Sequence, residues 1–272
     1  MSQQSTAVVG ELAVGSTRVR FHPLDGNDQV YREIDSGVFE RPLPELICEC
    51  ARALGGTFVD IGANSGIYTL LALASNRHGL RCHAFEPYPV ALAALKANIE
   101  ANSMQDRVVV HEIALSDSNG VATLFLPPPS GAILETSASL NPVFKDHAVP
   151  SQQVVTKKFD DAIPAGELVT VIKVDIEGHE DKFLTGAMDR VARDRPYIFI
   201  EVLQHANVDV ANLFIRRFDF VNYELHTDGL LKMAEVRFNI RAWNHAFIPS
   251  ERAPEFERIA AAAGVPTIAE PR

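Results

Sequence analysis

Short apolar runs rich in β-branched residues alternate along the chain with longer stretches that have the apolar spacing of amphipathic helices. The short runs predict five buried strands, at residues 57–61, 81–85, 108–111, 170–174 and 197–202. The longer stretches predict helices between or after them, at residues 67–75, 89–101, 180–192 and 210–218. Strands that alternate with helices in this way are typical of an α/β domain with a mostly parallel, twisted sheet.

The C-terminal part of the chain has a different pattern. Short strands are predicted at residues 222–226, 236–240 and 245–248, and no stretch long enough for a crossover helix separates the last two. Strands joined without a crossover run antiparallel, so we expect an antiparallel pair to close the sheet. A further run at residues 121–126 is expected to extend the third strand or to pair beside it.

Other segments define the predicted domain organisation. Residues 1–54 precede the first strong strand and predict a small N-terminal cap of strands with a helix near residues 44–54. The main domain is expected to span residues 55–250, followed by a C-terminal tail at residues 251–272. Residues 127–153 are rich in Pro, Ser and Thr and show little periodicity. A loop of this length inside a compact domain is commonly functional, so we expect it to form a lid.

The composition indicates a large folded domain and narrows the kinds of partner. Of the 272 residues, 47% are hydrophobic and 22% are charged, which favours a single globular domain over a disordered chain. A formal net charge of -10 opposes binding to nucleic acids, because that binding depends on neutralising phosphates. We therefore expect the partner to be a small molecule, a glycan or a carrier-bound compound. The sequence is compatible with a homo-oligomer and does not decide the oligomeric state.

The start of the chain and the cysteines predict a soluble cytoplasmic protein. Residues 1–6 have neither the basic nor the apolar region of a signal peptide. The apolar runs are far shorter than the ~20 residues that a membrane-spanning helix needs. The cysteines Cys48, Cys50 and Cys82 lack the spacing of a zinc site. We expect no membrane association and reduced, buried thiols.

The turn after the first strand of the main domain indicates a nucleoside site. It reads Asp60-x-Gly62-x-Asn64-x-Gly66 and leads into a helix, where glycines let the backbone approach a ligand closely. Asn64 stands where a dinucleotide fingerprint has glycine, and Asn also tolerates a left-handed turn. Glu86 ends the next strand, where an acidic residue accepts hydrogen bonds from ribose hydroxyls. These features predict a bound nucleoside without deciding which one.

Four blocks of sequence carry a family resemblance. They lie at residues 59–69, 85–87, 114–117 and 172–180 and occur in this order between residues 58 and 201. The last block, Lys173-x-Asp175-x-Glu177-Gly178-x-Glu180, is the most specific. Together they resemble the FkbM family of methyltransferases. The resemblance implies a Rossmann-like class I fold, S-adenosylmethionine as the methyl donor and usually a hydroxyl oxygen as the acceptor, in sugars, polyketides or other secondary metabolites.

The same resemblance implies positions around the cofactor. The methionine end would be held by Asp60, Gly62, Asn64 and Gly66, the ribose by Glu86 with Pro87 beside it, and the adenine would lie against Ala114 and Leu115. The expected antiparallel ending agrees with this class, because such a pair closes the sheet of Rossmann-like methyltransferases. Typical dinucleotide dehydrogenases lack it.

The carboxyl end of the fourth strand provides the candidates for catalysis. The methyl group of a sulfonium is already electrophilic, so the enzyme mainly aligns the reacting atoms. An alcohol acceptor must also lose its proton to a base. Asp175, Glu177 and His179 are the candidate bases, and His179 has the best-suited ordinary pKa. A structural alternative is that Asp175 pairs with Lys173.

Three alternatives remain at this stage. Asp175, Glu177, Glu201 and His205 would offer oxygen and nitrogen ligands at one rim of the sheet, but they have no metal-site spacing, and we predict no metal. A nicotinamide-dependent oxidoreductase would share the glycine turn and Glu86, yet it is disfavoured by the missing glycine and by the antiparallel ending. A non-catalytic nucleoside-binding protein would have the same fold, since a fold does not guarantee activity.

Overall fold

The computed structural model describes residues 10–22, 40–76, 79–127, 137–142 and 150–269. The strands in these residues are β1 (Gly10–Val14), β2 (Thr17–Phe21), β3 (Gly56–Ile61), β4 (Leu80–Phe85), β5 (Val108–His111), β6 (Ala114–Leu115), β7 (Gly120–Phe125), β8 (Ser151–Lys157), β9 (Val169–Val174), β10 (Tyr197–Glu201), β11 (Phe220–His226), β12 (Gly229–Met233), β13 (Asn244–Pro249) and β14 (Thr267–Ile268). The helices are α1 (Leu43–Ala53), α2 (Ile67–Ser75), α3 (Pro89–Ala101), α4 (Phe159–Ala162), α5 (Glu180–Gly186), α6 (Met188–Asp194), α7 (Val208–Arg217) and α8 (Ala253–Ala262).

Nine of these strands form the main sheet, in the order β14-β12-β11-β13-β10-β9-β3-β4-β5. The five strands from β10 to β5 run parallel to one another. Strand β13 lies antiparallel between β10 and β11, which confirms the predicted antiparallel ending. The chain leaves β3 toward β4 on one side and returns to β9 on the other. Open α/β sheets bind ligands beyond the carboxyl ends of strands at such a switch point.

Helices cover both faces of the sheet and make its central strands fully buried. Every residue of β9 is buried, and so are the first four of β10, as is typical of parallel strands packed on both sides. One core lies under α1, α2, α3 and α8, where Leu46 and Phe256 are fully buried. The other lies under α4 to α7 and contains Phe183 and Phe214. The sheet is therefore held rigidly, and its carboxyl ends have fixed positions.

Two predicted strands differ from the structure. Residues 236–240 form no strand; instead β12 follows β11 after the short turn at Thr227 and Asp228. Val236 is nevertheless buried, because the side chain of Asn212 on α7 bonds both its N–H and its carbonyl. The run predicted at residues 121–126 is β7, which pairs with β8 in a separate small sheet, β6-β8-β7, rather than with β5.

The predicted helix at residues 180–192 is divided into α5 and α6 at Gly186 and Ala187. Gly186 packs directly on the chain after β6, since a Cβ atom there would lie 2.1 Å from the carbonyl oxygen of Ser116. This contact brings the end of α5 against the strand that carries Ala114 and Leu115.

The predicted cap and tail contribute to the same cores as the main domain. Helix α1 packs in the core with α2 and α8, whereas the hairpin β1–β2 packs on α2 through a smaller cluster. The expected tail at residues 251–272 is corrected by the structure: Phe256 and Ala260 of α8 are fully buried, and β14 pairs with β12. Their apolar side chains find partners that are distant in sequence. Of the predicted lid, residues 128–136 and 143–149 lie outside the described part of the chain.

Candidate active site

The turn between β3 and α2 contains left-handed backbone conformations at the residue types that tolerate them. Gly62, Asn64 and Gly66 all have positive φ angles, of 74°, 51° and 92°, a region that glycine enters freely and Asn tolerates. A Cβ atom on Gly62 would lie 1.8 Å from the carbonyl oxygen of Asp175. The turns that follow β3 and β9 therefore touch, and Gly62 leaves no room for a side chain between them.

Asp60 lies behind this turn and does not line the cleft beside it. Its carboxyl group is fully buried, and its Oδ2 accepts hydrogen bonds from the backbone N–H and the hydroxyl of Thr69, at 2.9 and 2.7 Å. Gly66 likewise faces α3, since a Cβ atom on Gly66 would lie 2.5 Å from Cδ1 of Leu95. Both residues shape the turn and anchor α2 to β3; their place at the methionine end of the cofactor stays a prediction.

Glu86 connects the same turn to the end of β4. Its Oε2 accepts a hydrogen bond from the N–H of Asn64 and its Oε1 accepts one from the N–H of Tyr88, both at 2.8 Å. Only 6% of the residue is exposed, and burial raises the pKa of Glu86 to about 7. A carboxylate has about four acceptor positions, so two backbone bonds leave capacity for a ligand's hydroxyl groups.

A cleft with about 620 Å³ of empty space, its open mouth included, lies along these strand ends. Nine of the eleven predicted site residues line it: Gly62, Asn64, Glu86, Pro87, Ala114, Leu115, Asp175, Glu177 and His179. Apolar side chains line it together with the carboxyl groups of Glu86, Asp175 and Glu177 and the imidazole of His179. We call the part formed by Asp175, Glu177 and His179 the polar end. The lid segment at residues 137–142 contributes Ser137, Ala138 and Leu140 to the wall.

Asp175 lies at the polar end and is paired with a buried cation. Lys173, which is 4% exposed, donates a hydrogen bond from Nζ to Oδ2 of Asp175 at 2.9 Å. Burial by itself would lower the pKa of Lys173, but the carboxylates of Asp175, Asp60 and Glu40 raise it above the ordinary value. Lys173 therefore stays charged, and Asp175 still exposes 26% of its side chain. The ion pair and access to the cleft exist together.

His179 begins α5 on the other side of the cleft. Its Nε2 lies 3.0 Å from the hydroxyl oxygen of Ser116. Burial lowers the pKa of His179, so the imidazole is neutral at neutral pH. Glu180 is directed away from the cleft: its Oε1 accepts hydrogen bonds from the N–H groups of Ile176 and Gly178. It thereby holds the turn that carries Glu177.

Sequence reasoning did not find the residues that hold this turn from the lid side. The hydroxyl of Ser139 donates to the carbonyl of Glu177 at 2.7 Å, and Nδ2 of Asn141 donates to the carbonyl of Gly178 at 3.1 Å. Tyr68 was missed as well; its ring lies 4.8 Å from Nζ of Lys173 and its hydroxyl donates to Glu40. All these contacts join segments that are distant in sequence, and no local pattern signals them.

The described ranges contain neither a metal-binding cluster nor a membrane-spanning helix. Within residues 10–22, 40–76, 79–127, 137–142 and 150–269, no three His, Cys, Asp or Glu side chains are grouped to hold a metal ion. Over the same residues, every helix is too short or too polar to cross a bilayer. The cysteines Cys48, Cys50 and Cys82 are buried and unpaired with one another.

The strand order with its antiparallel β13, the glycine turn and the acidic residue at the end of β4 define a class I S-adenosylmethionine-dependent methyltransferase. The sequence model of the methyltransferase FkbM domain matches residues 60–226, which is more than half of the chain. The chain therefore belongs to the FkbM methyltransferase family. A nicotinamide-dependent oxidoreductase does not agree with this membership.

Similar proteins are known from sequence and from solved structures. The chain is 39% identical over 74 residues to the 31-O-demethyl-FK506 methyltransferase FkbM of Streptomyces tacrolimicus, a match that spans 27% of each protein. It is 18% identical to the methyltransferase FkbM of Methylobacillus flagellatus KT, with a TM-score of 0.49, over 71% of this chain and 43% of that one. It is 11% identical to M. jannaschii TYW2 in complex with AdoMet, with a TM-score of 0.43, over 92% and 90% of the two chains.

The residues of the cleft fit S-adenosylmethionine. The positive φ angle and the missing side chain at Gly62 let a ligand approach the backbone at the start of α2. Glu86 keeps acceptor capacity for two ribose hydroxyls. Phe85 and Leu115 provide apolar walls for a flat base. When bound, the cofactor would supply an electrophilic methyl group at the polar end of the cleft.

We expect binding of S-adenosylhomocysteine to weaken as the pH falls below about 7. Burial raises the pKa of Glu86 to about 7, and only the carboxylate form accepts from both ribose hydroxyls while it keeps its two backbone bonds. Ligand binding must therefore displace the proton at lower pH, and the affinity should fall by up to about tenfold per pH unit. Calorimetry at pH values from about 5.5 to about 8, on both sides of this pKa, measures how the affinity changes with pH.

A matched pair of variants assigns that slope. Glu86→Gln should bind about 1–3 kcal/mol more weakly, as expected for loss of a buried hydrogen-bonding group, and its affinity should no longer change with pH. Glu180→Gln is the control, because burial raises the pKa of Glu180 to about 7 too, although its carboxyl group bonds only the turn after β9. A slope that persists in Glu86→Gln and disappears in Glu180→Gln would contradict the ribose role of Glu86.

Proposed function

We propose that this protein transfers a methyl group from S-adenosylmethionine to a hydroxyl oxygen of a sugar, a glycan or a secondary metabolite. The observation that carries the proposal is the Asp175 carboxylate, which lies in the cleft directly beside the cofactor turn and is held by the buried Lys173. The backbone carbonyl of Asp175 adjoins Gly62, so the residue that carries this carboxylate follows β9 directly beside the turn that leads into α2.

Asp175 is the best candidate for the base that accepts the hydroxyl proton. Its Oδ2 bonds Lys173, while the exposed part of the carboxylate faces the cleft. His179 is neutral and has a free lone pair in one tautomer, but its Nε2 is already at hydrogen-bond distance from Ser116. Glu177 lines the cleft on a left-handed turn whose carbonyl is bonded to Ser139. We therefore assign the base to Asp175 and acceptor positioning to His179 and Glu177.

The chemistry requires little more than alignment and proton removal. The cofactor supplies the electrophilic methyl group. The protein's part is to hold the acceptor oxygen in line with it, which reduces the entropic cost of the reaction, and to remove the hydroxyl proton, which typically contributes 10²–10⁴-fold. Ala138 and Leu140 contribute apolar wall to the same cleft.

Two further observations support a hydroxyl acceptor outside nucleic acids. The Streptomyces tacrolimicus relative is named 31-O-demethyl-FK506 methyltransferase, a name that describes methylation of an oxygen by that enzyme. The present chain has a formal net charge of -10, which opposes phosphate-rich partners. Both favour a small or carrier-bound alcohol over RNA or DNA.

The test is a screen for release of S-adenosylhomocysteine with sugars, polyketide alcohols and carrier-bound alcohols, with matched amines and thiols as controls. We expect release only with hydroxyl acceptors, and mass spectrometry with NMR of the product should locate the new methyl group on oxygen. A product methylated only on nitrogen, sulfur or carbon would contradict the proposal. Release that needs no acceptor would mean hydrolysis and would contradict it as well.

A further inference from the structure

Glu201 lies next to Asp175 at the carboxyl ends of two adjacent strands. Ile200 of β10 pairs with Val174 of β9, so the following residues, Glu201 and Asp175, occupy neighbouring positions on the same face of the sheet. Adjacent strands are about 4.8 Å apart, a separation that one small polar group can bridge. On its other side Glu201 pairs with Asn244 of β13.

One carboxyl oxygen of Glu201 is buried and has nothing to bond. Among the residues that the structure describes, Oε2 of Glu201 has no hydrogen-bond partner. A buried polar atom left in this state destabilises the fold, and native proteins keep few of them without a partner. Glu201 is not itself among the residues lining the cleft, but its strand neighbour Asp175 is, so the ligand that can satisfy this atom is an acceptor bound beside Asp175.

The surroundings of Glu201 favour the protonated form of its carboxyl group. Burial is the largest cause, and the negative charges of Asp175, Glu177, Glu180 and Glu40 add to it, so that the pKa of Glu201 is raised well above its ordinary value. The cation of this region, Lys173, is bonded to Asp175 rather than to Glu201. The paired Asn244 is uncharged. In its protonated form, which burial and the neighbouring carboxylates favour, Glu201 is a hydrogen-bond donor next to a carboxylate that only accepts.

We propose that Glu201 donates a hydrogen bond to the acceptor oxygen and thereby turns the acceptor's O–H group toward Asp175. This inference rests on the proposed O-methylation. A hydroxyl oxygen has one hydrogen and two lone pairs. The hydrogen faces Asp175, one lone pair accepts from Glu201, and the other is left for the methyl carbon. Each group around the oxygen then has a defined direction, which is what alignment requires.

The atoms and electrons of the step balance with this assignment. The acceptor oxygen forms a bond to the methyl carbon, and the carbon–sulfur bond breaks with its electron pair moving to sulfur. The hydroxyl proton passes to the carboxylate of Asp175. Glu201 keeps its own proton throughout, so it acts by binding and orienting the acceptor. If Glu201 were ionised, it would have no proton to donate.

Two variants separate a donor from a carboxylate. Glu201→Gln keeps the size of the side chain and an N–H donor but cannot ionise, whereas Glu201→Ala removes the donor. With an acceptor from the screen, we expect Glu201→Ala to lower kcat/KM by about 5–150-fold, corresponding to 1–3 kcal/mol. Glu201→Gln should stay near wild type. Calorimetry should give the same affinity for S-adenosylhomocysteine in all three proteins. The number of binding sites from the same titration gives the folded fraction of each.

The pH profile provides the decisive measurement. In the wild type the KM for the acceptor should rise as the pH increases through the raised pKa of Glu201, because the donor is lost and a charge appears beside Asp175. In Glu201→Gln this alkaline rise should be absent. A Glu201→Gln variant as impaired as Glu201→Ala, or one that keeps the alkaline rise, would overturn the proposal.

A measurement without an acceptor makes the two hypotheses independent. Carbon-13 NMR of labelled glutamate, compared between wild type and Glu201→Gln, identifies the Glu201 carboxyl signal and its titration. At a neutral pH of about 7, we expect the carboxyl group of Glu201 to be protonated. Titration in the ordinary range of glutamate would overturn the inference even if O-methylation is found. A protonated Glu201 in an enzyme that methylates only nitrogen would instead refute the proposed function and, with it, the hydroxyl-binding role.

Discussion

Asp175→Asn should lower kcat by about 10²–10⁴-fold with the cofactor still bound, which is the usual range for loss of a general base. Asn has the size of Asp and keeps one acceptor oxygen, but it cannot take up the proton of the acceptor hydroxyl. The affinity for S-adenosylhomocysteine should change little, because Gly62 meets the backbone carbonyl of Asp175 and not its side chain. Turnover must be expressed per molecule that binds the cofactor product.

The same substitution should also lower the free energy of unfolding, because Lys173 is 4% exposed and loses its charged partner. Weakening a buried ion pair at one side costs about 3–5 kcal/mol at most, and here the carboxylates of Asp60 and Glu40 remain near the ammonium group. A stability loss alone therefore does not distinguish a base from a structural partner.

The double variant Lys173→Met/Asp175→Asn separates these roles. It removes the buried cation together with its partner, while the fully buried Asp60 also loses this cation. The free energy of unfolding should therefore recover in part relative to Asp175→Asn, as measured by chemical denaturation. If Asp175 is the base, turnover stays at least about 10²-fold below wild type after stability has recovered. Turnover that returns along with stability would mean that Asp175 serves only the ion pair.

Local requirements of the backbone could be predicted from the sequence. The mostly apolar runs of β3, β9 and β10 gave their bounds to within a residue or two, because strands covered on both faces consist largely of apolar residues. The cofactor turn was equally readable. Its positive φ angles occur at Gly62, Asn64 and Gly66, the residue types that such angles need.

Contacts between distant segments were not predictable, because either partner alone shows no pattern. Val236 is apolar and buried like a strand residue, yet the side chain of Asn212 replaces the neighbouring strand. Helix α8 lies within the segment predicted as a tail, because the sequence does not identify the distant residues that bury Phe256. In the site, the bond between Ser139 and Glu177 joins positions 38 residues apart.

Asp60 shows how one residue type serves two purposes at the same place. A carboxylate at the start of a helix can meet a ligand, or it can accept the free N–H groups of the helix itself. The resemblance predicted the first. In the structure Asp60 accepts from the N–H and hydroxyl of Thr69, in the first turn of α2. Glu86 combines both possibilities, since it bonds the turn at Asn64 and still lines the cleft.

Gly62→Ala should be the most destabilising single-atom addition in the cofactor turn. The new Cβ would lie 1.8 Å from the carbonyl oxygen of Asp175 and 3.2 Å from Cγ2 of Ile176, and the φ angle of 74° is unfavourable for alanine. Backbone atoms cannot give way as a flexible side chain does. We expect a loss of about 1–3 kcal/mol from the backbone conformation and about 1–3 kcal/mol more from overpacking.

The effect on the site should exceed the effect on the fold. To relieve the contact, the turn after β3 must move away from the turn after β9, and this displaces the start of α2 from Asp175. Affinity for S-adenosylhomocysteine should therefore fall even in the molecules that remain folded. Gly55→Ala is the matched control: it lies just before the same strand, a Cβ there meets nothing within 4 Å, and such a surface change alters stability by only about 0.5 kcal/mol. Chemical denaturation and calorimetry on both variants check the prediction. Equal stabilities and equal affinities for the two variants would show that the site does not depend on close contact between the turns after β3 and β9.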